Sequence, residues 1–129
     1  MFKQGPVPAF VHGIVEYLFA ALLIAAPFLF TFDDDTATAV SIVLGVLVLA
    51  VTASTALPTG LIKSIPVQAH AVIDYLLAAG LIASPFLFTF TGDGTATAFF
   101  IVLGVVHLLM TIATRFVSEE RPRRTRQAA

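Results

Sequence analysis

The chain writes one two-part segment twice. Residues 8–32 match 66–90 at a shift of 58, with 15 of 25 positions identical, and 36–55 match 95–114 at a shift of 59, with 12 of 20 identical. Pro8, His12, Tyr17, Pro27 and Phe28 return as Pro66, His70, Tyr75, Pro85 and Phe86. Each copy holds two long uncharged runs: 17–32 and 36–62, then 75–92 and 94–114. A membrane-crossing helix needs roughly 20 mostly apolar residues. The second and fourth runs reach that length alone, and the first and third reach it if Glu16 and Asp74 lie inside the helix. The expected spans are near 8–30, 36–56, 66–88 and 95–116, giving repeat one at 8–56 and repeat two at 66–116 of a single membrane domain, 1–129.

Composition supports this. Hydrophobic residues make up 58% of the 129, and charged residues only 12%, against about a quarter in soluble domains. A soluble domain of this size leaves too much surface wet to hide so much apolar area. A soluble enzyme is therefore excluded. Cysteine is absent, which removes disulfides, thiolate metal sites and cysteine nucleophiles. A net charge of -1 gives no field for nucleic acid. His12 and Glu16 in the first apolar stretch argue for a retained helix rather than a cleaved signal.

Two spans per copy make both copies enter the membrane from one side, so they are parallel repeats about a pseudo-two-fold axis along the membrane normal. The expected fold is an all-α, four-helix membrane bundle of two tandem helical hairpins. All seven basic residues (Lys3, Lys63, Arg115, Arg121, Arg123, Arg124 and Arg126) fall in the termini or the middle loop, while the other two loops carry Asp33, Asp34, Asp35 and Asp93. The positive-inside rule then predicts a cell (inner) membrane protein with both termini cytoplasmic. Residues 117–129 read as a disordered basic tail that anchors this topology. Asp35-Thr36 and Asp93-Gly94-Thr95 read as helix N-cap regions, and Pro8 and Pro66 as helix starts.

The doubled unit, with Ala26-Pro27-Phe28 and Ser84-Pro85-Phe86 late in the first span of each copy, resembles the SPW repeat family of small membrane proteins. His70 and Asp74-Tyr75, upstream of the motif, resemble its pattern too. Phe stands in both copies where that family has Trp. The resemblance implies the membrane fold and carries over no catalytic residue.

The candidate chemistry is a His-x-x-x-acid-Tyr pattern, present as His12…Glu16-Tyr17 and His70…Asp74-Tyr75. On a helix the His and the carboxylate share a face, with Tyr about 100° further round. Glu16 lies roughly 12 Å along its helix, where a charge is costly unless paired or facing the bundle interior. The residues of this polar cluster are His12, Glu16, Tyr17, His70, Asp74, Tyr75 and His107, the last matched by Val48 in the first copy. Three readings compete. The leading one is a structural or accessory membrane protein with an internal polar cluster. The second is a proton- or cation-linked transporter using Glu16 and Asp74. The third is a haem or divalent-metal site, with His12 and His70 as ligands. The expected partners are the bilayer and a homo-oligomer or larger membrane complex.

Pro27 and Pro85 free the carbonyls of Leu23 and Leu81 and read as bends or helix ends. The outer phenylalanines (28, 30, 32, 86, 88, 90, 99 and 100) read as a belt or as packing. Small residues at four-residue spacing (Ala21/Ala25, Ser41/Gly45, Ala79/Ala83 and Gly80/Ser84) allow close helix contact, within the bundle or between subunits.

Overall fold

The computed structural model describes residues 5–115; the predicted tail, 117–129, lies outside them. Four helices run Ala9–Leu29 (α1), Asp35–Ala53 (α2), Val67–Leu87 (α3) and Gly94–Ala113 (α4), each long and apolar enough to cross a membrane. They pair as two hairpins, α1 along α2 and α3 along α4. Large apolar side chains such as Leu18, Val43, Leu76 and Leu109 face outward, while His12, Glu16, His70, Asp74 and His107 are buried. That is the inside-out distribution of a membrane bundle, where lipid replaces water as the solvent of the apolar faces.

The termini-bearing end is tied together twice, once in each half. After α4 the chain turns extended, and Thr114–Arg115 (β2) pairs in parallel with Val7–Pro8 (β1) before α1. After α2, Thr55 bridges Ile65, just before α3, in the same parallel sense. The two pairings are equivalent under the repeat. They also end α2 and α4 three residues before the expected 56 and 116. Pro8 and Pro66 stand at the N-cap positions of α1 and α3 without a side-chain cap, where a missing N–H costs nothing.

At the opposite end the caps are acidic. Asp34, not Asp35, caps α2, its Oδ1 accepting from Ala37 N at 3.0 Å. The preference is geometric: the N-cap side chain reaches the N–H three residues on. Asp93 caps α4 by accepting from Ala96 N, and its Oδ2 accepts from Asp33 N and Asp34 N at 2.8 and 3.1 Å. Burial pushes the Asp93 carboxyl up, but the backbone N–H groups of Ala96, Asp34, Asp33 and Thr95 hold it below the usual range. One side chain thus clamps both loops of this end.

The Pro-Phe-Leu-Phe-Thr-Phe run builds a helix terminus. Phe32 N donates to Pro27 O and Phe90 N to Pro85 O, both at 3.0 Å, the six-to-one bond of a Schellman cap. That cap requires left-handed backbone at the residue between, and Thr31 (φ 50°) and Thr89 (φ 56°) adopt it. Glycine usually fills this position; a side chain there costs roughly 1–2 kcal/mol. Thr31→Gly and Thr89→Gly should each stabilise the bundle by about 0.5–1 kcal/mol, after the loss to glycine's greater unfolded freedom. Unfolding in mixed micelles would measure this, and a loss of stability would contradict the cap. Pro27 and Pro85 thus lie in the last turns of α1 and α3, two residues before the helix ends. The carbonyl that Pro27 frees at Leu23 is taken by Ser41 Oγ across the hairpin, at 2.5 Å. In the second copy Phe100 stands in Ser41's place.

The aromatic residues divide. Phe28, Phe30, Phe86 and Phe88 face outward. Phe90, Phe99 and Phe100 stack with centroids 5.0 and 5.8 Å apart, and Phe32 joins Phe99 at 5.7 Å, closing the acidic-loop end of the core.

Candidate functional site

In the half of the bundle nearer the termini, one turn of α1 and one of α3 face each other. Their i,i+4 pairs do not stay separate. His12 Nε2 lies 3.2 Å from Glu16 on its own helix but 3.0 Å from Asp74 Oδ2 on the other. His70 Nε2 lies 3.2 Å from Asp74 and 2.9 Å from Glu16 Oε2. The four groups form a closed ring in which each imidazole touches both acids. All four are at most 2% exposed, and one ligand-grade atom from each lies within 4.8 Å of the others.

The far side of each imidazole is fixed by a threonine. His12 Nδ1 lies 2.7 Å from Thr114 Oγ1, and His70 Nδ1 lies 2.6 Å from Thr55 Oγ1. Each hydroxyl donates its only hydrogen to a carbonyl four residues back, Met110 O or Val51 O, at 2.6 Å. A carbonyl can only accept, so each Thr oxygen must accept from the ring. Both histidines therefore carry hydrogen on Nδ1 and turn Nε2 towards the acids. Thr114 and Thr55 are the residues whose backbones make the two end pairings, so the pairings at the membrane face set the tautomers inside.

The rest of the surroundings is not symmetric. Thr52 Oγ1 donates to Glu16 Oε2 at 3.0 Å. Its counterpart Thr111 instead donates to His107 O. His107 itself sits beside the ring, 3.7 Å from Asp74 Oδ1 and against Phe19 with centroids 5.2 Å apart. Neither ring nitrogen of His107 has a hydrogen-bond partner among the described residues. The two tyrosines stand apart from the cluster, because a further 100° of helix turns them away. Tyr17 donates to Thr59 O at 2.8 Å, and Tyr75 is 37% exposed.

The SPW repeat domain model matches residues 10–114. The chain belongs to the SPW repeat family. The matched span takes in both hairpins, the four ring residues and both threonines, so site and family unit coincide. No curated protein and no solved structure matches the chain.

Sequence reasoning named the five ionisable residues of the cluster and missed Thr52, Thr55 and Thr114. A signal was present: Thr52 and Thr55 recur as Thr111 and Thr114. A hydroxyl near the end of an apolar span is common enough that the recurrence carries no weight until the histidines are seen beside it.

Proposed function

We propose that this protein is a small accessory component of the cell membrane, with both termini in the cytoplasm, that holds one divalent transition-metal ion between its two repeats. The observation that carries this is the ring itself: two Nε2 atoms and two carboxylates, one pair from each repeat, at 2.9–3.2 Å. Ligand atoms around a tetrahedral ion with bonds of about 2.0–2.2 Å stand roughly 3.3–3.6 Å apart; the four His–acid contacts are a few tenths of an ångström shorter, and one ligand atom from each residue lies within 4.8 Å of the others. The threonines supply the outer hydrogen bonds that metal-binding histidines usually make through their other nitrogen. Two carboxylates facing two imidazole Nε2 atoms in a buried ring need positive charge between them. One divalent ion neutralises the ring, and so do two protons. Imidazole and carboxylate together suit zinc, iron or manganese better than copper(I). Haem fits less well, because the carboxylates fill the space between the imidazoles where a porphyrin would lie.

A purely mechanical role is weaker on energetic grounds. Buried ion pairs are often no more stabilising than apolar packing of the same volume, and charged groups inside a membrane carry a further cost. Cobalt titration of the purified protein in detergent tests the reading. One cobalt per chain with the visible bands of a tetrahedral site is expected, lost in Glu16→Gln/Asp74→Asn and weakened about 10- to 100-fold in Thr55→Val or Thr114→Val. Absence of stoichiometric cobalt, or binding that survives loss of both acids, would leave the two-proton ring as the resting state.

A further inference from the structure

The broken symmetry of the repeat opens a cavity of about 560 Å³ between α2 and α3, reaching from Ala39 and Phe88 near the acidic-loop end to Thr52, Glu16 and Asp74. From Ala39 to Thr52 the groove runs roughly 20 Å along α2. Four lining residues, Val40, Val48, Leu77 and Gly80, are smaller than their repeat counterparts Phe99, His107, Phe19 and Leu22. Those counterparts pack between α1 and α4: Phe19 on His107, Phe99 on Phe30 and Phe32, and Leu22 against the core. One interface is filled and the other hollow, by substitution at four matched positions.

The volume lies in the range of ligand sites, and the wall is apolar except at Ser84 and at its inner end. There the polar groups are acceptors. Thr52 spends its hydrogen on Glu16, and Ser84 higher in the groove spends its own on Gly80 O. A ligand's polar end must therefore donate. It must also be small and neutral. Once one divalent ion or two protons close it, the ring is neutral, so a further cation or anion added in hydrocarbon would be uncompensated. A phospholipid headgroup would have to leave the interface for a site roughly 12 Å deep, as helix rise places Glu16.

We infer that the α2–α3 cavity binds a single-chain lipophile ending in a hydroxyl, its chain along the groove and its O–H donated to Glu16 or Asp74. This goes beyond the metal reading and does not depend on it, because the carboxylates keep spare lone pairs whether protons or a metal ion close the ring. The test compares oleyl alcohol, its methyl ether, which lacks the donor, and oleate, each titrated into the purified protein. Oleyl alcohol should bind one per chain, with the ether and oleate at least about tenfold weaker. Gly80→Leu restores the larger residue of the other copy at a position where an added Cβ meets nothing within 4 Å. It should abolish alcohol binding and leave cobalt binding unchanged. Equal binding of all three probes, binding undiminished in Gly80→Leu, or displacement of the alcohol by phospholipid at matched concentration would each overturn the assignment. Loss of cobalt binding with alcohol binding intact would overturn only the metal reading.

Discussion

Asp74→Ala should destabilise the bundle by about 3–5 kcal/mol, the usual cost of removing one partner from a buried, hydrogen-bonded ionic group. Asp74 meets three imidazoles, at 3.0 Å (His12), 3.2 Å (His70) and 3.7 Å (His107). Its loss leaves the ring with one acid for three rings. The informative measurement is the coupling. In double-mutant cycles of unfolding in mixed micelles, His12→Ala with Asp74→Ala should be non-additive by more than about 0.5 kcal/mol. The coupling should be at least as large as that of His70→Ala with Asp74→Ala. The sequence pairs Asp74 with His70, one turn away on the same helix. The structure gives the shorter contact to His12 on the other repeat. Additivity of His12 and Asp74 would mean that the hairpins meet without the ring.

That contrast marks where the sequence stops. The repeat, the four spans and the parallel hairpins were legible, because hydrophobic run length and internal identity are local quantities. The ionisable residues of the site were legible too, because a charge in an apolar run stands out against its neighbours. The ring was not, since i,i+4 spacing describes one helix and says nothing about which face meets the other. Asp34 rather than Asp35 as the cap of α2, and Thr31 as a left-handed residue, depend on one-residue backbone geometry. In the run 33–35 three aspartates offer the same chemistry to a cap. The cavity was hidden for another reason: its walls are ordinary aliphatic residues. They gain meaning only when Val40, Val48, Leu77 and Gly80 are set against Phe99, His107, Phe19 and Leu22 in space.

Small residues show the same limit and supply the second large effect. Gly45 and Gly80 both occur in four-residue pairs with serine, and both sit inside helices. Their surroundings are opposite. A Cβ on Gly45 would meet Ile24 Cγ1 at 2.7 Å and the backbone of Ala20 at 2.9 Å, while one on Gly80 meets nothing within 4 Å. Gly104, the repeat counterpart of Gly45, meets Ile82 Cγ1 at 2.7 Å and Ala78 O at 3.1 Å. These two glycines set the spacing within the hairpins, where the opposing atoms include backbone that cannot rotate aside. Gly45→Val and Gly104→Val should each cost about 1–3 kcal/mol, the range for overpacking a close contact. The β-branched side chain is also stiff at χ1 in a helix, so it cannot rotate away from the packed face. Gly80→Leu should instead be neutral or mildly stabilising, because it removes a helical glycine and fills space. Measured in the same micelles, equal losses at Gly45 and Gly80 would mean that the α2–α3 face is closed. A neutral Gly45→Val would mean that the hairpins are not held at glycine distance. The predicted order, with Gly45 and Gly104 intolerant and Gly80 free, follows from each copy of the unit packing its helices tightly while the groove between copies stays open.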